Sequence, residues 1–196
     1  IAVIGMDCAI GKRSTVRFLL DGCKAAGLKA EMIFTGQTGW MQSGKYGFVL
    51  DSTYNDFVSG ELEHAIVACY EHEKPDVIFL EGQSSLRNPS GPCGSELLIS
   101  GNAKKVILLH APKRIFFDDD PAWGKIPSVQ SEINLIKAYG AEVIGLALNT
   151  NGCTASEALQ FKLELENEIQ LPVALPLEEG VDALVSTVQN CLLTLK

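Results

Sequence analysis

The chain of 196 residues lacks an apolar run long enough to cross a bilayer, which takes roughly 18 to 20 residues, and it opens with neither a basic stretch nor a cleavage-site pattern. On these grounds it reads as soluble and unexported. Positive charge is scarce too: 16 Lys and Arg stand against 24 Asp and Glu, a net charge of −8. Nucleic acid and anionic membranes repel such a surface at long range, so both are excluded as partners and any anion site must be local. Six cysteines (Cys8, Cys23, Cys69, Cys93, Cys153, Cys191) form no C-x-x-C pair and no zinc-like spacing. With 46% hydrophobic residues the chain can build a core without disulfide staples, and reduced thiols in a cytoplasm fit best. Internal repeats are absent, and residues 1–196 read as one domain. The chain begins without methionine and inside an apolar run, which raises the expectation of a fragment with an upstream domain removed.

What is present is an alternation of apolar runs with helical periodicity. Residues 1–4 and 30–34 read as strands around a helix near 12–26, with Val16, Leu19, Leu20 and Cys23 on its apolar face. Leu62, Ala65, Ile66, Cys69 and Tyr70 share one face of a helix that begins near Ser59. Strands follow at 76–81, after the Pro75 break, and at 106–110. A helix near 128–139, opened by Pro127-Ser128, precedes a strand at 142–149, and Thr154 with Glu157 forms a capping box ahead of the next helix. A short strand at 171–176 and a closing helix through Val181, Leu184, Val185 and Val188 complete the pattern. Continuous rather than alternating apolar strands mark a sheet covered by helices on both faces. The expected fold is a three-layer α/β/α sandwich with a mostly parallel sheet. Two irregular stretches, 36–56 and 82–101, read as functional loops.

Ile1-Ala-Val-Ile-Gly-Met-Asp-Cys-Ala-Ile-Gly-Lys-Arg-Ser-Thr15 is a strand, a glycine-bounded loop and a lysine at a helix start. Such a loop turns backbone N–H groups and the positive helix end toward anionic oxygens, with Lys12 as a point charge, and so predicts a phosphorylated ligand. The fold expectation becomes P-loop NTPase-like. Two departures from the usual pattern stand out: five residues rather than four separate Gly5 from Gly11, and Arg13 follows the lysine where Ser or Thr normally holds magnesium.

Ligands of an open parallel sheet sit beyond the carboxyl ends of its strands. There the chain has Thr35-Gly-Gln-Thr-Gly39, Glu81-Gly-Gln-Ser-Ser85, His110-Ala-Pro-Lys-Arg114 and Asn149-Thr-Asn151. Glu81 stands where P-loop proteins keep the acid that holds magnesium, although a strand-end carboxylate can also be merely solvated. Thr35, Gln37, Thr38, Gln83 and Ser84 offer neutral groups to a polar substrate, or turn chemistry around Gly36, Gly39 and Gly82. Asp51 and Asp56 are candidate cation ligands or bases, with Asp56 alternatively a helix cap. His110 is either an acid-base group or a structural histidine, whereas His64 and His72 lie among helical acids and read as solvated. Arg114 suits a carboxylate or phosphate clamp, and equally an ordinary surface position. Asp118-Asp-Asp120 reads as a solvated turn and Cys8 as a small filler.

In order, Gly5-Met-Asp-Cys-Ala-Ile-Gly-Lys-Arg-Ser-Thr15, Thr35-Gly-Gln-Thr-Gly39, Asp56-Phe-Val-Ser-Gly60 with Glu63, Glu81-Gly-Gln-Ser-Ser-Leu86 and His110-Ala-Pro-Lys-Arg114 resemble the signatures of one family. It is the family of D-glutamate N-acetyltransferase-like P-loop proteins, long catalogued as a domain of unknown function. The resemblance covers nearly the whole chain. It implies a Rossmann-like domain upstream and acetyl transfer from acetyl-CoA to D-glutamate. A more distant likeness is to dethiobiotin synthetase, whose loop has the same five-residue gap and an aspartate two residues after its first glycine. There the aspartate and the hydroxyl after the lysine help hold magnesium, and a strand-end asparagine reads adenine. Asp7 and Asn149 stand at similar places here, whereas Arg13 does not match.

Two enzymatic readings result. In an acyl transfer, Gly5, Asp7, Gly11, Lys12, Arg13, Ser14, Thr15 and Asn149 hold the ADP part of acetyl-CoA, and Arg13 neutralises phosphate oxygens without a metal. Asp56, Glu81 or His110 then deprotonates the amine of an acidic amino acid bound by Thr35, Gln37, Thr38, Gln83, Ser84 and Arg114. Backbone N–H groups of the Gly36 or Gly82 turns face the developing oxyanion. In an ATP-dependent ligase or kinase, Asp7, Ser14 and Glu81 instead hold magnesium while Lys12 polarises the γ-phosphate. A nucleotide-binding module without turnover is a third reading, because fold alone does not imply catalysis. All three take a small-molecule partner and are compatible with a homo-oligomer.

Overall fold

Among the described residues the six apolar runs become strands and a short seventh, β3, joins them: β1 (Ala2–Gly5), β2 (Ala30–Phe34), β3 (Tyr46–Gly47), β4 (Val77–Glu81), β5 (Lys105–His110), β6 (Glu142–Leu148) and β7 (Val173–Ala174). They form one parallel sheet in the order β3-β2-β4-β1-β5-β6-β7. The structure, a computed structural model, describes residues 1–42 and 44–193. Helices α1 (Lys12–Ala25), α2 (Gln37–Met41), α3 (Asn55–Glu73), α4 (Ser95–Ile99), α5 (Val129–Ala138), α6 (Ala155–Ile169) and α7 (Asp182–Leu193) complete it. No helix among the described residues is long and apolar enough to cross a membrane.

Successive side chains of a strand point to opposite faces, which is why strands buried on both sides read as unbroken apolar runs. Ala2, Ile4, Val106 and Leu108 pack with Leu62 of α3, Leu97 of α4 and Ile136 of α5. Val3, Ile107 and Leu109 pack on the other face with Val16 and Leu19 of α1 and Val185 of α7. The α/β/α layering follows. Between β5 and β6 the register shifts so that Ile107 pairs with Gly145. A Cβ at Gly145 would lie 2.5 Å from Leu184, so the glycine there lets α7 pack directly on the sheet.

The capping box of α6 forms: Thr154 Oγ1 accepts from the Glu157 N–H at 3.3 Å, and Glu157 accepts from the Thr154 N–H at 2.8 Å. α3 begins at Asn55 rather than near Ser59, because its N-cap, Tyr54, contributes no capping side chain that could mark the start. The last strand shrinks to Val173–Ala174, flanked by Pro172 and Pro176, which have no N–H to give a ladder. The stretch 36–56 is more regular than expected, since it holds α2, β3 and a 3-10 turn at Leu50–Ser52. Because β1 lies between β4 and β5, the loops that leave these three strands converge at the carboxyl edge of the sheet.

Candidate functional site

Gly5 ends β1 and Lys12 opens α1, with Gly11 between them in a left-handed conformation (φ 95°) and no side chain capping the helix. The first-turn N–H groups of α1 are left as donors at its positive end, the arrangement that receives phosphate. A Cβ at Gly5 would come within 2.9 Å of Lys12 Nζ, so the loop folds this tightly over the lysine only with glycine there. Lys12 is buried, and its Nζ donates to the carbonyls of Asp7 and Ser84, at 2.7 Å each. Burial lowers its pKa to about 8 despite nearby Cys8 and Asp7. Ala9 and Ser84, on the two loops that hold it, take left-handed φ values of 52° and 36°. Both loops around the lysine thus carry a non-glycine residue in a conformation that L side chains rarely adopt.

Arg13 gives the site its character. Its Nη1 lies 3.1 Å from Glu81 Oε2, and its Nε donates to Gln42 Oε1 at 2.9 Å. Gly39 makes the room, since a Cβ there would stand 2.7 Å from Nη1. The guanidinium therefore sits beside the carboxylate expected to hold magnesium and supplies the positive charge itself. Glu81 is 4% exposed, and burial raises its pKa against the opposing pull of Arg13 and Lys12. Beneath it, Thr35 Oγ1 donates to the Glu81 carbonyl at 2.6 Å and ties β2 to β4.

Asp7 is committed within the fold rather than open to a cation. Its Oδ1 accepts from Asn88 Nδ2 at 2.9 Å, and its Oδ2 accepts from Arg114 Nη1 at 2.9 Å and the Asp118 N–H at 3.0 Å. Arg114 also donates to the Cys8 carbonyl at 2.8 Å. Asp7 and Arg114 thus brace the phosphate loop against the loop after β5, which leaves Arg114 little freedom as a substrate clamp. Asp118 lies exposed in its turn, as expected, but its carboxylate also accepts from Ser90 Oγ and Asn88 Nδ2, and these bonds hold its pKa below the usual range. Asn88, Ser90 and Gln42 escaped the sequence reading. The sole hint was the polar Asn88-Pro-Ser90 turn inside a long loop.

Two cavities flank the phosphate loop. One, of about 190 Å³, lies between residues 8–13 and Glu81, Gln83 and Ser84. The other, of about 150 Å³ and largely apolar, is lined by Gly11, Ser14, Thr15, Phe18, Pro176 and Leu177. Ser14 and Glu81 therefore face different cavities. Asn149 forms a wall of the apolar one, but its Nδ2 donates to the Ile10 carbonyl and its Oδ1 accepts from the Asn151 N–H, both at 2.9 Å. Its carboxamide secures the phosphate loop instead of standing open to a base.

Gln83 lies over Gly36 and donates from Nε2 to Asp51 Oδ2 at 3.3 Å. The Gly82 N–H is taken by the Val3 carbonyl at 2.9 Å, so it is not a donor for an oxyanion. Gln37 and Thr38 are exposed in the first turn of α2. Asp56 is exposed in the first turn of α3, and Asp51 is the acid that reaches Gln83. His110 Nδ1 is buried without a hydrogen-bond partner among the described residues, and desolvation lowers the imidazole pKa to about 4. It is neutral at pH 7.

Residues 1–185 match the family described as domain of unknown function (DUF1611_C) P-loop domain. The chain belongs to this DUF1611 family. Two curated proteins named D-glutamate N-acetyltransferase are similar to it. That of Tritonibacter scottomollicae is 29% identical over 189 residues, 93% of this chain and 55% of its own. That of a Pseudoalteromonas species is 28% identical over 190 residues, 93% of this chain and 56% of its own. The crystal structure of a DUF1611 family protein from Anabaena variabilis superposes with a TM-score of 0.88 at 27% identity, covering 96% of this chain and 56% of that one. The chain thus spans a little over half the length of each of these proteins.

Proposed function

We propose that this chain is the coenzyme-binding half of an N-acetyltransferase that moves the acetyl group of acetyl-CoA to the amine of an acidic amino acid such as D-glutamate. The observation that carries the reading is the Arg13–Glu81 pair at the end of β4. With Glu81 held by a guanidinium, Asp7 satisfied by three donors and Ser14 in another cavity, the donor set fits magnesium poorly. It suits a pyrophosphate held without a metal, between Lys12, Arg13 and the uncapped start of α1. The names of the two curated relatives support the same choice.

When bound, acetyl-CoA supplies an activated thioester carbonyl. This chain's task is to hold the anion, exclude water and remove a proton from the attacking ammonium. Of the three candidate bases, Glu81 lines the cavity of the phosphate loop, and burial makes it more basic than an exposed carboxylate. His110 is too weakly basic at about 4, and Asp56 stands exposed outside the cluster.

Calorimetric titration with CoA and with ATP, each with magnesium and with chelator, tests the reading. We expect CoA to bind equally in both media and more tightly than ATP. ATP binding that requires magnesium, beside weak CoA binding, would overturn it in favour of a ligase or kinase.

A further inference from the structure

A third, smaller cavity of about 90 Å³ opens beside the phosphate loop, lined by Ile10, Lys113, Arg114, Asp119, Asn149 and Asn151. It shares Ile10 and Asn149 with the apolar cavity, and it shares Ile10 with the cavity of Lys12 and Glu81. Three compartments of different chemistry therefore radiate from one residue: an N–H-rich anion cradle, an apolar slot and a small polar pocket with two cations and one acid. Both cations are already paired with carboxylates, Lys113 with Glu157 and Arg114 with Asp7 and Asp119, so what decides the pocket's use is which of them can exchange its partner for an anion.

We propose that this pocket receives a phosphomonoester on the ribose of the coenzyme, the 3′-phosphate that distinguishes CoA from ADP and ATP, with Lys113 as its principal partner. The proposal rests on the coenzyme reading above and adds the group by which the site would prefer CoA. A coenzyme with its pyrophosphate over Lys12 and its base in the apolar slot would carry its ribose past Ile10, the residue common to all three cavities, where the third pocket opens. ATP has nothing to place in it.

The two cations differ in freedom. Arg114 is fixed by Asp7 and the Cys8 carbonyl, and it meets exposed Asp119 at 3.5 Å. Lys113 is exposed and is held by Glu157, with its Nζ 5.9 Å from the Phe161 ring centroid. Exposed ion pairs of this kind are weak and easily exchanged. Glu157 stays satisfied if the lysine leaves, because its other oxygen already accepts the Thr154 N–H and hydroxyl. Lys113 can therefore turn to a phosphate without stranding a partner.

The test compares CoA with dephospho-CoA, which lacks the 3′-phosphate, by calorimetric titration of wild type and Lys113→Ala. Wild type should bind CoA roughly ten- to hundredfold more tightly than dephospho-CoA, as expected for one charge-assisted phosphate contact. In Lys113→Ala the affinity for CoA should drop to that for dephospho-CoA, with dephospho-CoA unchanged. Equal affinities in wild type, or a variant that weakens both ligands alike, would overturn the pocket assignment and leave the coenzyme reading intact. Failure of both ligands to bind wild type would overturn both.

Discussion

At Lys12 two demands compete, since the site needs a charge for phosphate where burial disfavours that charge. Desolvation brings the lysine to about 8, so the free protein sheds this proton as the pH rises through that value. An anion prefers the protonated form, so affinity for CoA should be full near pH 7 and decline above about pH 8. Lys12→Arg, whose guanidinium stays charged, should flatten the profile in calorimetric titrations between about pH 6.5 and 9.5. Equal steepness in the two proteins would remove Lys12 from contact with the ligand. Lys12 and Glu81 were legible as residues, because a loop pattern and a strand end announce them. The partner of Arg13 was not, since the two members of that ion pair are 68 residues apart.

Among the elements, the connection from β2 to β3 is shaped by one aromatic ring. Gly39, Gly44 and Gly47 all pass so close to Phe34 that a Cβ at any of them would overlap it. This explains why Thr35-Gly-Gln-Thr-Gly39 carries its second glycine: it fits the segment both to Phe34 and to the guanidinium of Arg13. In Gly39→Ala the better helix former gains about 0.5 to 1 kcal/mol, whereas overpacking costs about 1 to 3 kcal/mol. The steric term should win, because the atom met is Phe34 Cβ, which cannot swing aside. Thermal denaturation should show a lower Tm, by roughly 2 to 4 °C per kcal/mol for a domain of this size. A Tm at or above the wild-type value would refute the packing account. α6 was legible from its capping box, while α3 was misplaced at its start because Tyr54 caps nothing.

For the molecule as a whole, buried titratable groups set the response to acid. His110 has an ordinary value of 6.5 and about 4 in the fold, so the unfolded chain takes up the proton first as the pH falls. The stability linked to it is full above pH 6.5 and is lost as the pH falls toward 4, by up to about 3 kcal/mol. Glu81 works in the opposite direction, because its raised pKa makes the folded state gain on acidification. Urea denaturation at about pH 7 and pH 4.5 should show a smaller acid loss in His110→Leu than in wild type, and losses of equal size would exclude the histidine. Strand runs, helix faces, the phosphate loop and the α6 cap follow from neighbours along the chain, so periodicity and turn chemistry were enough to read the three-layer class. The pairing of charges does not. Arg13 meets Glu81, and Asp7 meets Arg114 across 107 residues, because the sheet sets β1 between β4 and β5. Strand order is a property of the packed sheet rather than of local sequence, and it turned two expected magnesium ligands into partners of arginine.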